Sequence, residues 1–339
     1  MDTHSIITGG AGFIGSHLAE RLTAAGHRLT LVDDLSTGQR SNIQHLLGDR
    51  CKLVEACAAE ALTAPGFLDS ADRVFHLAAA VGVKLVVDDP SAMIRNNIEQ
   101  TDAVLHAAAE ARVPVLLTSS SEVYGKCPVL PLHEDMELVY GPTTASRWSY
   151  GLTKALDEHL ALDLARRASL DTVVVRLFNT IGPRQIGRYG MVVPRFVAQA
   201  AAGQDLTLYG DGKQTRAFCD VRDVAAALHQ LLETPDAYGR VFNVGSTSPI
   251  TIDTLADRVQ QAAEYAGFAP VGKTYLPYEA AYGQGFEDPP HRLPDITRLE
   301  DTIGFTPQIA LEQTLAELFA DAARRNNSAT STLSTEERL

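Results

Sequence analysis

Ser120, Ser121 and Glu122 stand just past an apolar run, Val113 to Thr118, and Tyr150 and Lys154 follow further along the chain. Hydroxyls and a carboxylate at the C-terminal end of a buried strand are well placed for chemistry, although serines also build ordinary turns. Tyr150 and Lys154 are four residues apart, so on a helix they share a face. A phenol with a pKa of about 10 is a poor base at neutral pH. A neighbouring ammonium and a positively charged cofactor ring both favour the phenolate, which tunes the tyrosine toward general-base work. Arg147 lies one helical turn ahead of Tyr150.

A second set of residues fits a dinucleotide. Gly9, Gly12 and Gly15 form Gly-x-x-Gly-x-x-Gly between the apolar run Ser5 to Ile7 and a helical pattern of Phe13, Ile14, Leu18 and Leu22. The order is strand, glycine turn, helix. A turn this tight, with backbone close to a pyrophosphate, needs residues without a Cβ. The helix N-terminus then offers free N–H groups and partial positive charge. Alone, such a triplet is an ordinary strand-to-helix turn. Leu29 to Asp34, however, reads as a second strand ending in carboxylates, and Asp33 falls 18 residues past Gly15, where a ribose-binding acid belongs. A carboxylate there accepts the ribose hydroxyls of NAD and repels the 2′-phosphate of NADP. Leu77, Ala78 and Ala79 leave another strand as small residues that let backbone lie against a flat cofactor, or that serve simple helix–strand packing.

Alternating strands and helices must position these groups. Strands are expected at 51–55, 72–76, 113–118 and 171–178, with helices from Ser91 to Ala111 and from Arg147 to about Arg167. That alternation argues for an α/β fold with a doubly wound parallel sheet. The right-handed crossover rule gathers strand C-termini at one edge, where ligands bind. Beyond Phe178 the pattern changes to a helix at 192–203, a short strand at 206–209, and amphipathic helices at 220–232, 252–266 and 311–324. Residues 326–339 are polar, lack an apolar period, and are expected to be disordered.

Composition narrows the function classes. The 339 residues, 45% hydrophobic, suffice for one large or two medium domains with a core. A net charge of −13 disfavours nucleic acid and anionic membranes as partners. No apolar run is long enough to span a bilayer. Cys51, Cys57, Cys127 and Cys219 form no Cys-x-x-Cys pair, so free thiols in a reducing cytoplasm are expected. No signal peptide is expected either, because the first strand starts at once. Histidine spacing suggests no metal site.

Taken together, the motifs resemble an extended short-chain dehydrogenase/reductase acting on nucleotide sugars, over about residues 4–322. The pieces that carry it are the glycine triplet, Asp33, Ser120 with Tyr150-x-x-x-Lys154, and Phe178-Asn179-Thr180-Ile181-Gly182-Pro183-Arg184. Leu208-Tyr209-Gly210-Asp211-Gly212, Thr215-Arg216-Ala217-Phe218 and Phe242-Asn243-Val244-Gly245 complete the set. The resemblance implies a Rossmann domain over 1–180 plus 220–245, and a smaller C-terminal α/β substrate domain over 181–219 plus 246–325. It implies NAD held by the glycine turn with Phe13 and Ile14, by Asp33, Leu77, Ala78, Ala79 and Asn97, and by Tyr150 and Lys154. It implies a UDP-sugar contacted by Lys84, Asn179, Arg184, Val193, Tyr209, Arg216 and Arg292. Arg suits diphosphate geometry, whereas an ordinary surface ion pair is the alternative for Arg216. A homodimer through the 91–111 and 147–167 helices is also implied. Cys57-Ala58 departs from the family, which often carries an adenine-contacting Asp there.

Three features resemble UDP-glucuronic acid decarboxylases in particular. Ser121-Glu122 replaces the Asp-Glu of 4,6-dehydratases, and plain 4-epimerases usually lack the Glu. Arg147-Trp148-Ser149-Tyr150 is similar to the decarboxylase of the aminoarabinose pathway and to UDP-apiose/xylose synthases. So is Tyr282-Gly283-Gln284-Gly285-Phe286-Glu287-Asp288 with His291-Arg292-Leu293-Pro294-Asp295, where the catalytic arginine falls on Arg292. Ring contraction to apiose is disfavoured, because those plant enzymes carry Cys at the position of Ser121. The alternatives are a UDP-sugar 4-epimerase and, from another class, a non-catalytic NAD-binding scaffold.

Overall fold

The computed structural model describes residues 2–80, 89–187, 191–277 and 289–336, the last eleven as backbone only. The chain opens with β1 (His4–Thr8), the glycine turn and α1 (Phe13–Ala24). There follow β2 (Arg28–Val32), β3 (Cys51–Val54), α2 (Ala58–Leu62), β4 (Arg73–His76), α3 (Pro90–Ala111), β5 (Val115–Ser120), α4 (Ser149–Ala168) and β6 (Thr172–Leu177). The seven-stranded sheet is parallel and runs β11-β6-β5-β4-β1-β2-β3, with β11 (Arg240–Val244) at one edge. The chain therefore leaves β1 in one direction and returns at β4 to build the other, which opens a ligand crevice at their C-terminal ends.

The strands read as continuous apolar runs because both faces are covered. Ile7, Phe75, Leu116 and Val173 pack on one face with residues of α1 and of α6 (Val221–Glu233). Ile6, Val74, Val115, Leu117 and Val174 pack on the other with residues of α3 and α4. The alternation follows the two-residue strand period.

Past β6 come β7 (Thr180–Ile181), α5 (Val192–Ala201), β8 (Leu206–Tyr209), β9 (Thr215–Ala217) and β10 (Cys219–Asp220) before α6 and β11. The remaining elements are β12 (Pro249–Thr251), α7 (Ile252–Tyr265), β13 (Lys273–Leu276), β14 (His291–Arg292), α8 (Thr297–Ile303) and α9 (Leu311–Glu336). A separate core gathers Ile181, Phe196, Leu206 and Leu208 with Leu255, Val259, Leu315 and Phe319. β14 pairs in parallel with β9, placing Arg292 opposite Arg216.

Three details refine the expected layout. Ile296 and Leu299, expected in the second unit, join the first core beside Phe242 and Val244. Arg147 lies in a 3-10 turn, Ser146–Trp148, that precedes α4 rather than in the helix itself. The tail expected to be disordered from Asn326 is helical to Glu336. Leu315 and Phe319 seat the start of α9, and extending a seated helix costs little per residue, so polarity alone does not end it.

One buried ion pair fixes α4 against the sheet. Arg176 of β6 donates to both Glu158 oxygens, at 2.9 and 2.7 Å, and to the Glu134 carbonyl at 2.9 Å. Ser119 of β5 donates to the same Glu158 carboxylate at 2.5 Å. Removing one partner strands a buried charge, which costs about 3–5 kcal/mol. Glu158→Gln is therefore expected to lower the urea-unfolding free energy by about that much; a loss under about 1 kcal/mol, the scale of an exposed pair, would contradict the assignment.

Candidate active site

A cavity of about 780 Å³ runs along the C-terminal edge of the sheet. One end is the glycine turn. A Cβ on Gly15 would lie 2.1 Å from the Gly9 carbonyl oxygen, and one on Gly9, at φ +68°, would lie 3.0 Å from the Ala78 nitrogen. The turn thus closes to backbone contact. Gly12 caps α1 with no side chain, which leaves the first N–H groups of the helix beside the cavity. Asp33 follows β2 and is 7% exposed. Its oxygens accept from the Ala11 and Leu35 amides, each at 2.9 Å. Burial pushes its carboxyl above the ordinary value, against those amide bonds. The Gly12 amide also bonds this carboxylate, and the acceptor capacity that remains is open to a ribose hydroxyl. Leu77, Ala78 and Ala79 line the same wall, with Phe13, Ile14 and Cys57. These residues fit a dinucleotide.

The middle of the cavity holds Ser120, Tyr150 and Lys154. Ser120 ends β5, and its hydroxyl accepts from the Glu122 amide at 3.2 Å, so the serine turn is also a cap. The Ser120 side chain also hydrogen-bonds Tyr150. Burial first, then Glu122 and Asp157, hold the Tyr150 phenol above its ordinary value, and the Ser120 bond opposes them. The free protein thus carries Tyr150 as the neutral phenol. Its ionisation must come from added positive charge. Lys154 is 2% exposed, one turn along α4. Gly151, between them, allows the approach of α4: a Cβ there would lie 2.4 Å from the Glu122 carbonyl oxygen.

Glu122 sits between two guanidiniums. Arg147 donates to both its oxygens, at 2.6 and 3.0 Å, and Arg292 donates Nη1 at 2.6 Å. Arg147 is 8% and Arg292 5% exposed. Burial would raise the Glu122 carboxyl, but Arg292 and Arg147 reverse that and hold it well below the usual range. Glu122 is therefore a carboxylate throughout the neutral range and not a proton donor. Arg292 Nε and Nη2 are buried without a hydrogen-bond partner. Ser121 is buried next to this cluster.

The far end carries Asn179, Arg184, Val193, Tyr209 and Arg216. Asn179 donates to the Ala217 carbonyl at 3.1 Å. Arg184 pairs with Glu20 of α1. Arg216 donates to the carbonyls of Thr215, Pro289 and Pro290. Sequence reasoning missed Arg195, which stacks 4.3 Å over the Tyr209 ring and lines the same wall. Asn243, part of a matching motif, has a role that spacing did not show: its amide group donates to the carbonyls of Leu132 and Asp295 at 2.8 and 3.0 Å and so anchors the segment bearing Arg292. Asn97 bonds the Ala80 backbone through both of its amide atoms, and Asn96 and Gln100 of the same helix line the cavity. Lys84 and residues 282–288 lie outside the described residues.

Among the described residues, the ligand atoms of His27, His229 and Glu233 converge away from the cavity. Spacing does not reveal this group, which spans the α1–β2 turn and α6. Arg73 already donates to Glu233 at 2.6 Å, and it reads as an ion pair beside two imidazoles.

Fold and site together define a dinucleotide-dependent enzyme built on a Ser–Tyr–Lys set. The NAD dependent epimerase/dehydratase family model matches residues 5–245, and the chain belongs to that family. It is 37% identical to a UDP-N-acetyl-α-D-glucosaminuronate decarboxylase of Bacillus cytotoxicus, over 94% of this chain and 97% of the relative. It is 34% identical to UDP-glucuronic acid decarboxylase 4 of Arabidopsis thaliana, over 98% and 72% respectively. A UDP-glucuronic acid 4-epimerase of Bacillus cereus, solved with UDP-glucuronic acid and NAD, superposes with a TM-score of 0.81 at 27% identity, over 95% of this chain and 99% of the other.

The Gly151 contact is testable by stability. Gly151→Ala is expected to cost about 1–3 kcal/mol in urea unfolding, the usual penalty for overpacking. Gly48→Ala, where a Cβ meets nothing within 4 Å, serves as the control. Equal stabilities for the two variants would contradict the close approach of α4 to Glu122.

Proposed function

We propose that this chain is an NAD-dependent decarboxylase of UDP-hexuronates, acting on UDP-glucuronate or its 2-acetamido counterpart. One observation carries the reading: Arg292 presents buried, unpartnered N–H donors next to Glu122, in the cavity that holds Tyr150 and Lys154. Stranded donors cost about 1–3 kcal/mol each, a cost that a ligand carboxylate removes. A neutral hexose offers no anion at that point. The names of the two decarboxylase relatives support the same substrate class.

When bound, NAD supplies the acceptor for the hydride leaving C4 of the sugar. Gly9, Gly12, Gly15 and Asp33 would hold it. Tyr150 takes the C4 hydroxyl proton, Ser120 hydrogen-bonds that oxygen, and the Lys154 ammonium stabilises the phenolate. The oxidised sugar is a β-keto acid. Its carboxyl bond breaks with the electron pair delocalised into the C4 carbonyl, neutral CO₂ leaves, and the enolate takes a proton at C5, from the protonated Tyr150 or from water, to give the 4-keto-pentose. Arg292 and Arg147 hold the carboxylate beforehand. Glu122 keeps both guanidiniums in place and, as a like charge, favours departure of a neutral product. Arg184, Arg195 and Arg216 take the diphosphate end, and the product is the UDP-4-keto-pentose, UDP-xylose where the hydride is returned to C4 and the oxygen is protonated, or the 2-acetamido equivalent of either. We assign the core around Phe196 and Leu255 to the sugar-nucleotide unit, and the unpaired cysteines accord with the cytoplasm. No helix among the described residues is long and apolar enough to cross a membrane.

Incubation with UDP-glucuronate and with UDP-N-acetylglucosaminuronate, followed by product NMR, tests the reading. A pentose product with CO₂ release is expected from at least one, and Arg292→Ala is expected to slow CO₂ release about 100-fold. A hexuronate inverted at C4 would establish 4-epimerisation instead, the reading that the B. cereus structure favours. Tight NAD binding without turnover would establish a scaffold.

A homodimer through α3 and α4 is part of the proposal. Leu152 and Leu156, one turn apart on α4, are 38% and 51% exposed. Light scattering is expected to give a dimer mass, reduced to a monomer by Leu156→Glu; a monomeric native protein would refute it.

A further inference from the structure

Behind the Tyr150–Lys154 pair lies a buried carboxylate that the reaction as described does not use. Asp157 is 0% exposed, and its Oδ2 accepts from Lys154 Nζ at 3.1 Å. A fully buried carboxylate is costly, and an apolar side chain would pack there without that cost. The residue stands one helical turn past the lysine, on the side facing α3 and β4.

From Asp157 a chain of polar groups crosses the interior to the cofactor cradle. The Thr101 hydroxyl lies beside the Asp157 carboxylate and stabilises its charge, while Asp157 Oδ1 is buried with no hydrogen-bond partner. His76 Nε2 lies 3.4 Å from Thr101 Oγ1, and His76 Nδ1 lies 2.8 Å from Thr8 Oγ1. Thr8 in turn accepts from the Ala78 amide at 3.2 Å, and Ala78 is the residue against which Gly9 packs. Thr8, His76 and Thr101 are each at most 1% exposed.

The ionised end sets the direction of every bond. A carboxylate only accepts, so Thr101 must donate to Asp157 and accept from His76. Burial, and then the Lys154 charge, lower His76 to about 3, so its ring is neutral and carries one N–H. That proton must sit on Nε2, leaving Nδ1 to accept from the Thr8 hydroxyl. Burial pushes the Asp157 carboxyl up, and Lys154 and Thr101 oppose it. The Lys154 ammonium has three donors. One is committed to Asp157, and two remain for the cavity side.

We propose that Asp157 is a positioning residue for the Tyr150–Lys154 pair: it anchors the lysine Nζ at a fully enclosed position and, through Thr101, fixes the tautomer of His76. The proposal rests on Tyr150 as the base. Glu122 and Asp157 raise that phenol and the Ser120 hydroxyl lowers it; Arg147 and Arg292 face Glu122, and Thr101 and His76 lie behind Asp157. Glu122 and Asp157 both repel a phenolate, and Asp157 offsets its own repulsion by fixing the Lys154 ammonium on the helix face that carries the phenol.

Asp157→Asn tests this, because it keeps the shape and removes the charge. Tyr150 ionisation is read as phenolate absorbance in NAD-loaded protein, taken as the difference between each protein and its Tyr150→Phe counterpart. In the Asn variant it is expected to move at least one pH unit higher, with the acid limb of kcat moving equally. At a fixed pH below that limb kcat falls about tenfold, the factor per pH unit, while KM for the sugar holds. Asp157→Glu is expected to restore the limb in part. An unmoved titration would reduce Asp157 to a structural part, and a move to lower pH would mean that it acts by repelling the phenolate; both overturn the proposal. Should the Asn variant not fold, ¹⁵N NMR of the wild-type His76 ring decides: Nε2–H is expected, and Nδ1–H or the doubly protonated ring would overturn it. Undiminished turnover by Tyr150→Phe would instead sink the base assignment, separately from the role of Asp157.

Discussion

The arrangement that governs this site is one carboxylate enclosed by two guanidiniums. Glu122 leaves the end of β5, Arg147 comes from the 3-10 turn ahead of α4, and Arg292 comes from the short strand β14. Three distant stretches of chain therefore meet at a single buried charge cluster. Buried ions are costly, and here one carboxylate is held by two guanidiniums. The Arg292 donors left without a partner are the physical reason we propose an anionic sugar. The two guanidiniums also keep Glu122 ionised, which excludes it as a proton donor; the proposal gives proton handling to Tyr150.

Everything around the cluster works to hold these three side chains in register with the Ser–Tyr–Lys set. The Arg176–Glu158 pair docks α4 on β5 and β6. Gly151 removes the last carbon between α4 and the Glu122 backbone. Asn243, at the end of β11, pins Leu132 and Asp295 together, so the loop after β14 cannot drift. The sheet supplies the rest: its order turns back between β1 and β4, and the cofactor cradle, the base and the arginines all lie along that edge.

What could be read from the residues was local. The glycine turn, Asp33 and the Tyr150–Lys154 spacing are short-range patterns whose geometry follows from strand and helix periods. The parallel sheet followed from alternation, with strand ends placed within a residue or two. Arg292 and Arg147 were accessible through resemblance alone, because nothing in their own neighbourhoods announces that they will be buried against Glu122. Gly151, Asn243 and Asp157 act through contacts with residues far away in sequence. Asn97 reaches the Ala80 backbone with both amide atoms, a contact that its own neighbours in sequence do not announce. Arg195 carried no signal beyond its charge; its stacking on Tyr209 exists only in three dimensions.

The most direct measurement is a comparison of UDP-glucuronate with UDP-glucose, which differ in carrying or lacking the carboxylate. Titration calorimetry in a Tyr150→Phe background removes turnover. A charge-assisted pair of about 1.5–3 kcal/mol predicts roughly 10–100-fold tighter binding of the uronate, falling to near parity when Arg292 is replaced by alanine. Equal affinity for the two sugars in the parent protein would contradict the account.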